Sequence, residues 1–210
     1  MTHYSLSEIR ALCIKAARGA GFSWGLAEEA GAIAFWLESQ GLQGATAIAR
    51  YLTVATQEKL RLPNSKSPSW AWDDGYVCGL QAASYLSDLG VIALEDGGKS
   101  VDKITMPVLM IPACQRISNM CGEAICVNWQ GATFLIESNK IVHGGSSIYT
   151  PKISQVQISL GRENFQADLA RHIVPPPVVD WDLLFKLESK TYVPESERSR
   201  QSGAGEAASS

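Results

Sequence analysis

Two adjacent glutamates in an alanine-rich stretch, Glu28 and Glu29, are the first residues in this 210-residue chain whose placement could carry chemistry. On a helix they point about 100° apart, so they cannot serve the same neighbour. Glu29 falls on the arc between Ile33 and Trp36, and Glu28 falls beside Phe35 and Ser39, which makes Glu29 the one expected to be partly buried. A carboxylate beside an indole and an aliphatic side chain has its charged form disfavoured unless a cation pairs with it. Arg18, just before this helix, is the nearest cation along the chain. Such a group is a candidate general base or ligand contact, and the plainer alternative is an ion pair that fixes two helices.

Four other groups invite a chemical reading. Gly19-Ala20-Gly21-Phe22-Ser23-Trp24-Gly25 offers free N–H groups at a helix start, as a phosphate loop would, but it follows a helix rather than a strand and reads better as a tight helix-to-helix turn. His143, before Gly144-Gly145-Ser146-Ser147, titrates near neutrality and is a candidate acid or base; the alternative is an incidental turn histidine. Cys114, Cys121 and Cys126 lack a C-x-x-C spacing, so core or loop thiols are expected rather than a metal site. Trp70, Trp72, Asp73 and Asp74 could line a cation or sugar pocket, or anchor a loop that caps a helix. The candidate catalytic residues are thus Glu29 and His143, and the candidate ligand-binding residues are Arg18, Trp24, Glu29, Trp72 and Asp74. No motif names a cofactor.

The elements that must position these groups follow from periodicity. Ser5 and Glu8 have the spacing of a capping box, and Leu6, Ile9, Leu12, Cys13, Ala16 and Ala17 form one apolar stripe, predicting a helix to about Arg18. Gly19 and Gly21 are expected to end it in left-handed conformations. A second helix, about Trp24 to Gln40, is rich in small residues that permit close neighbours, and a third runs from about Gly44 to Gln57. Asp73 or Asp74 is expected to cap a fourth from about Gly75 to Leu89. Beyond Gly97-Gly98 the pattern shortens to strand-like runs at Lys103 to Ile111, Ala124 to Trp129, Ala132 to Glu137, Lys140 to His143 and Lys152 to Leu160, with hairpin turns at Asn128 to Gly131 and Ser138-Asn139. Trp181 to Lys190 completes the list as an amphipathic helix. The expected fold is α+β: a helical region over 1–98, a mostly antiparallel β-rich region over 99–190 packed on it, and a flexible tail over 191–210 that could order on a partner.

Composition narrows the function classes. Eighteen basic against 21 acidic residues give a formal charge of −3, which argues against nucleic-acid binding. No apolar run reaches the ~20 residues of a bilayer span, and the start lacks a basic-then-apolar leader, so a cytoplasmic protein with reduced thiols is expected.

Arg18-Gly19-Ala20-Gly21-Phe22-Ser23-Trp24-Gly25-Leu26-Ala27-Glu28-Glu29-Ala30-Gly31, with Trp36-Leu37 and Gly41-Leu42, resembles the opening of the bacterial domain-of-unknown-function family number 3726. Thr191-Tyr192-Val193-Pro194-Glu195-Ser196-Glu197, Ser199-Arg200 and Gly203-Ala204-Gly205 resemble that family's ending, so the likeness implies coverage of nearly the whole chain. It implies no activity. The layout of Ala27-Glu28-Glu29-Ala30, Gly44, Ala49-Arg50-Tyr51-Leu52 and Asp74-Gly75 is also similar to the start of type II malate/lactate dehydrogenases. Where those enzymes carry Ser-His-Gly, this chain has Gly44-Ala45-Thr46-Ala47, which implies that the redox chemistry is lost. The expected function is that of a cytoplasmic accessory or small-metabolite-binding protein of a catabolic pathway, recognising a small-molecule ligand or a partner enzyme. The alternative is a small-molecule enzyme with Glu29 or His143 as acid/base, a degenerate relative of those dehydrogenases.

Overall fold

The capping box forms as the sequence predicts. Glu8 donates its backbone N–H to Ser5 Oγ at 3.2 Å, and the Ser5 N–H returns a bond to Glu8 Oε2 at 2.7 Å, opening α1 (Leu6–Gly19). Ile9, Leu12, Cys13, Ala16 and Ala17 are its buried face. Ser23 caps α2 (Trp24–Ser39), and α3 (Gly44–Ala55) follows. The computed structural model describes residues 4–63, 69–70, 74–94, 98–138, 140–171 and 177–192. Asn139, Trp72, Asp73 and the tail from 193 lie outside them.

The fourth helix starts later than its sequence suggests. α4 spans Gly79–Leu89 without a side-chain cap, because Val77 is drawn into bridges with Arg61 and Ile104, and Asp74 pairs instead with the Arg61 guanidinium. The Lys103–Ile111 run is corrected more deeply. Strand β2 (Lys99–Thr105), paired in parallel with the short β1 (Ser69–Trp70), ends where Met106 adopts a left-handed φ of 44°. A 3-10 turn at Pro107–Met110 then leads into α5 (Ile111–Cys121), a helix in place of the expected strand end. Pro107 and Pro112 fit there because a first-turn proline forfeits an N–H that had no intrahelical partner.

The remaining strands keep their expected positions: β3 (Ile125–Trp129), β4 (Ala132–Glu137), β5 (Lys140–Gly144) and β6 (Lys152–Leu160), then the short α6 (Ala167–Ala170) and α7 (Trp181–Ser189). The sheet order is β1-β2-β6-β3-β4-β5, antiparallel except at β1–β2, so the architecture is α+β. Its register aligns Lys99, Ile158, Val127, Phe134 and His143 in one row across five strands, while Ser100, Gln157, Asn128, Thr133 and Gly144 form a polar row on the opposite face. α5 packs on β3 and β4 and also meets α2 and α4, joining the helical half to the sheet.

Close approaches in the helical half are set by glycines. Gly19 is helical, correcting the expectation of a left-handed stop; a Cβ there would stand 1.7 Å from the Leu187 carbonyl of α7, whereas Gly21 does have a left-handed φ of 97°. A Cβ on Gly44 would meet the Ala34 carbonyl oxygen at 2.1 Å, while one on Gly25 meets nothing within 4 Å. Gly44→Ala should therefore destabilise by about 1–3 kcal/mol through overpacking, and Gly25→Ala should be neutral or stabilising by up to about 1 kcal/mol. Urea midpoints of the two variants check both signs.

Candidate functional site

Helix geometry places Glu29 as expected: it is half-buried, whereas Glu28 is exposed. Glu29, Ile33 and Trp36 of α2 line one cleft of about 270 Å³, together with Ala32 and Phe35, Arg10 from α1, and Pro112 and Arg116 from α5. Its wall is mostly apolar and its rim carries two guanidinium groups and one carboxylate.

The cation beside Glu29 is Arg116, not Arg18. Arg116 Nη2 stands 3.9 Å from Glu29 Oε2 and donates to Ser87 Oγ at 2.7 Å, so one guanidinium spans from α4 to α2. Both charges are substantially exposed, at 54% for the Arg116 side chain and 36% for Glu29, so the pair contributes little to stability and remains open to a third group. Arg18 is engaged elsewhere: its Nη1 donates to the Phe22 carbonyl, and its guanidinium carbon lies 4.7 Å from the centre of the Trp24 ring. The turn at Gly21 brings Phe22 back onto the end of α1 and commits Arg18 there. Arg18 and Trp24 accordingly line a second cleft, and the structure does not bring them to Glu29.

α5 is held over the first cleft by Trp36, whose indole Nε1 donates to Gln115 Oε1 at 2.8 Å. On the other side, Gly31 lets α1 approach: a Cβ there would stand 2.9 Å from the Arg10 carbonyl. Arg10 thus enters the cleft from α1 and has no side-chain partner among the described residues.

His143 sits elsewhere, at the edge of the sheet. Its ring stacks on Phe134 at 5.6 Å between centroids with a 29° tilt, and Phe134 stacks in turn on Trp129. Burial pushes the imidazole below its ordinary value near 6.5, and its buried Nδ1 has no hydrogen-bond partner among the described residues. The glycines after it serve packing. A Cβ on Gly144 would meet Ala170, one on Gly145 would meet the Gly131 carbonyl, and Ser147 N–H donates to that same carbonyl at 3.0 Å.

The three grouped cysteines are dispersed by their elements. Cys114 is buried in α5, where desolvation pushes its thiol up to about 12, Cys121 ends that helix, and Cys126 on β3 accepts from Asn128 Nδ2 at 3.1 Å. Trp70 is fully buried against Tyr85, and Asp74 is exposed beside Arg61.

With this geometry in place, comparison with known proteins bears on the helical half alone. Residues 4–89 match the family described as "Protein of unknown function (DUF3726)". The match covers α1 to α4 with the short β1 between them, and so the Glu29 side of the cleft, and stops before α5 and strands β2 to β6. No curated protein matches the chain.

A folded-state pKa below the unfolded one means that the unfolded chain binds more protons as pH falls through 6.5. The neutral His143 ring therefore contributes stability above that value, which is lost progressively toward the lowered folded value. The fall in Tm from pH 7 to pH 5 should be smaller in His143→Phe, which keeps the ring stack, than in the wild type.

Proposed function

We propose that this protein is a cytoplasmic, small-metabolite-binding accessory protein of a catabolic pathway, and that its ligand is a small organic acid with an apolar body, held in the Glu29 cleft. The observation that carries this reading is the convergence of Arg10, Arg116 and Glu29 on an apolar wall within one cleft of about 270 Å³. Small-ligand sites combine a mostly apolar lining with a few convergent polar groups. A guanidinium presents paired N–H donors that match a carboxylate, and two of them at one rim favour an anion over a neutral molecule. Glu29 accepts a hydrogen bond from a hydroxyl or ammonium group next to that carboxylate. Ile33, Phe35, Trp36 and Pro112 then cover the hydrocarbon part.

The enzyme reading rests on the same carboxylate. Glu29 near a bound acid has the position of a general base, whereas His143 is not among the residues that line this cleft. The two readings differ in Glu29→Gln, which would abolish turnover if Glu29 moves a proton and would only weaken binding if it orients the ligand.

Calorimetric titration with 2-hydroxy-4-methylpentanoate, 4-methylpentanoate and 4-methylpentanamide tests the proposal. The hydroxy acid should bind most tightly and the uncharged amide least, with Arg10→Ala and Arg116→Ala each weakening the acids by about tenfold or more, the scale of one charge-assisted contact. Equal affinity for acid and amide, or acid binding indifferent to both arginines, would overturn it.

A further inference from the structure

The second cleft gathers positive charge and exposed aromatic surface. Lys15 and Arg18 enter it from α1, Trp24 from the first residue of α2, and Lys190, Thr191 and Tyr192 from the turn that follows α7. Its volume is about 440 Å³, within the range of small-molecule sites. The walls are fixed by the contact at Gly19, where α1 and α7 approach too closely for any side chain. In a chain of net charge −3, three cations meet here. Glu188 engages one of them, with its Oε1 2.8 Å from Lys15 Nζ. Lys190 has no side-chain partner among the described residues.

The two rings are the cleft's other feature. Trp24 is 65% exposed and Tyr192 57%, so each leaves much of its ring in water. Each ring already has a cation over it: Arg18 lies 4.7 Å from the centre of Trp24, and Lys15 Nζ lies 5.6 Å from the centre of Tyr192. Such contacts hold large side chains in place at the surface and set a positive charge beside each ring. A flat aromatic group that enters the cleft stacks on ring surface that water now covers. An anionic substituent on the same group meets Arg18 and Lys190.

We propose that this cleft is a binding site for a small aromatic phosphate, a flat ring system carrying one phosphate group and of mononucleotide size, separate from the organic-acid cleft at Glu29. Ring and phosphate are both required, because stacking on exposed rings is tolerant of ring type and free phosphate would gain only the charge.

The test is calorimetric titration of the full chain with adenosine 5′-monophosphate, adenosine and inorganic phosphate in turn. The monophosphate should bind at least about tenfold more tightly than either fragment, the scale of one stacked ring or one well-placed charge pair. Trp24→Ala and Lys190→Ala remove exposed atoms and should leave the melting temperature unchanged while each weakens the monophosphate by about fivefold or more. Arg116→Ala should leave its affinity unchanged, which separates this site from the Glu29 cleft. The proposal is overturned if no heat is seen at millimolar monophosphate, if inorganic phosphate alone binds as well, if Trp24→Ala has no effect, or if Arg116→Ala abolishes binding.

Discussion

The structure depends on the seating of α5. One hydrogen bond marks that seat: the Trp36 indole N–H of α2 reaches the Gln115 side-chain oxygen of α5 at 2.8 Å. An indole N–H in a partly buried position needs an acceptor, and truncating either partner leaves the other unpaired at a cost of about 1–3 kcal/mol. Around that bond, Ile111, Cys114 and Ile117 are fully buried, and Arg116 reaches across to Ser87 of α4. The same helix packs on β3 and β4, so the contacts that join the helical half to the sheet also bring Pro112 and Arg116 over Glu29. In this account cohesion and the candidate site are two consequences of one helix placement.

That placement requires an unusual backbone turn. Met106 is fully buried with a φ of 44°, a conformation that side-chain-bearing residues seldom adopt, and its N–H is held by the Pro151 carbonyl at 2.9 Å. The chain thereby leaves β2 and enters the 3-10 turn at Pro107 without an extended connection. Gly79 completes the corner. A Cβ there would stand 1.9 Å from the Thr105 carbonyl, and its N–H donates instead to Thr105 Oγ1 at 3.0 Å, tying the start of α4 to the end of β2.

Local sequence carried the elements whose signals are local. The Ser5–Glu8 box, the α1 stripe and the short strand-like runs of β3, β4 and β6, bounded by turn residues, were legible because each is decided within a few residues. α5 was not, since residues 107–113 are apolar throughout and a fully buried run has no period to read; the prolines at 107 and 112 and the glycine at 122 were the available signals for a helix. The site divided in the same way. Choosing Glu29 over Glu28 needed only 100° per residue, whereas choosing Arg116 over Arg18 needed the long-range docking of α5. Arg10 was missed for a similar reason, because it faces the cleft through the approach of α1 at Gly31. His143 was legible as a residue and not as a role: the register alone shows it ending a row that includes Phe134 and Val127.

If the Glu29 cleft receives the ligand, Trp36 both lines the site and holds α5 over it. The most direct measurement is the indole N–H spectrum of the six tryptophans during titration with 4-methylpentanoate, the resonances assigned by single Trp→Phe variants. A ligand in the Glu29 cleft should give a saturable shift of the Trp36 indole N–H, with that of Trp24 in the other cleft unmoved. A Trp36 resonance that stays fixed while the acid binds and shifts signals elsewhere would contradict it.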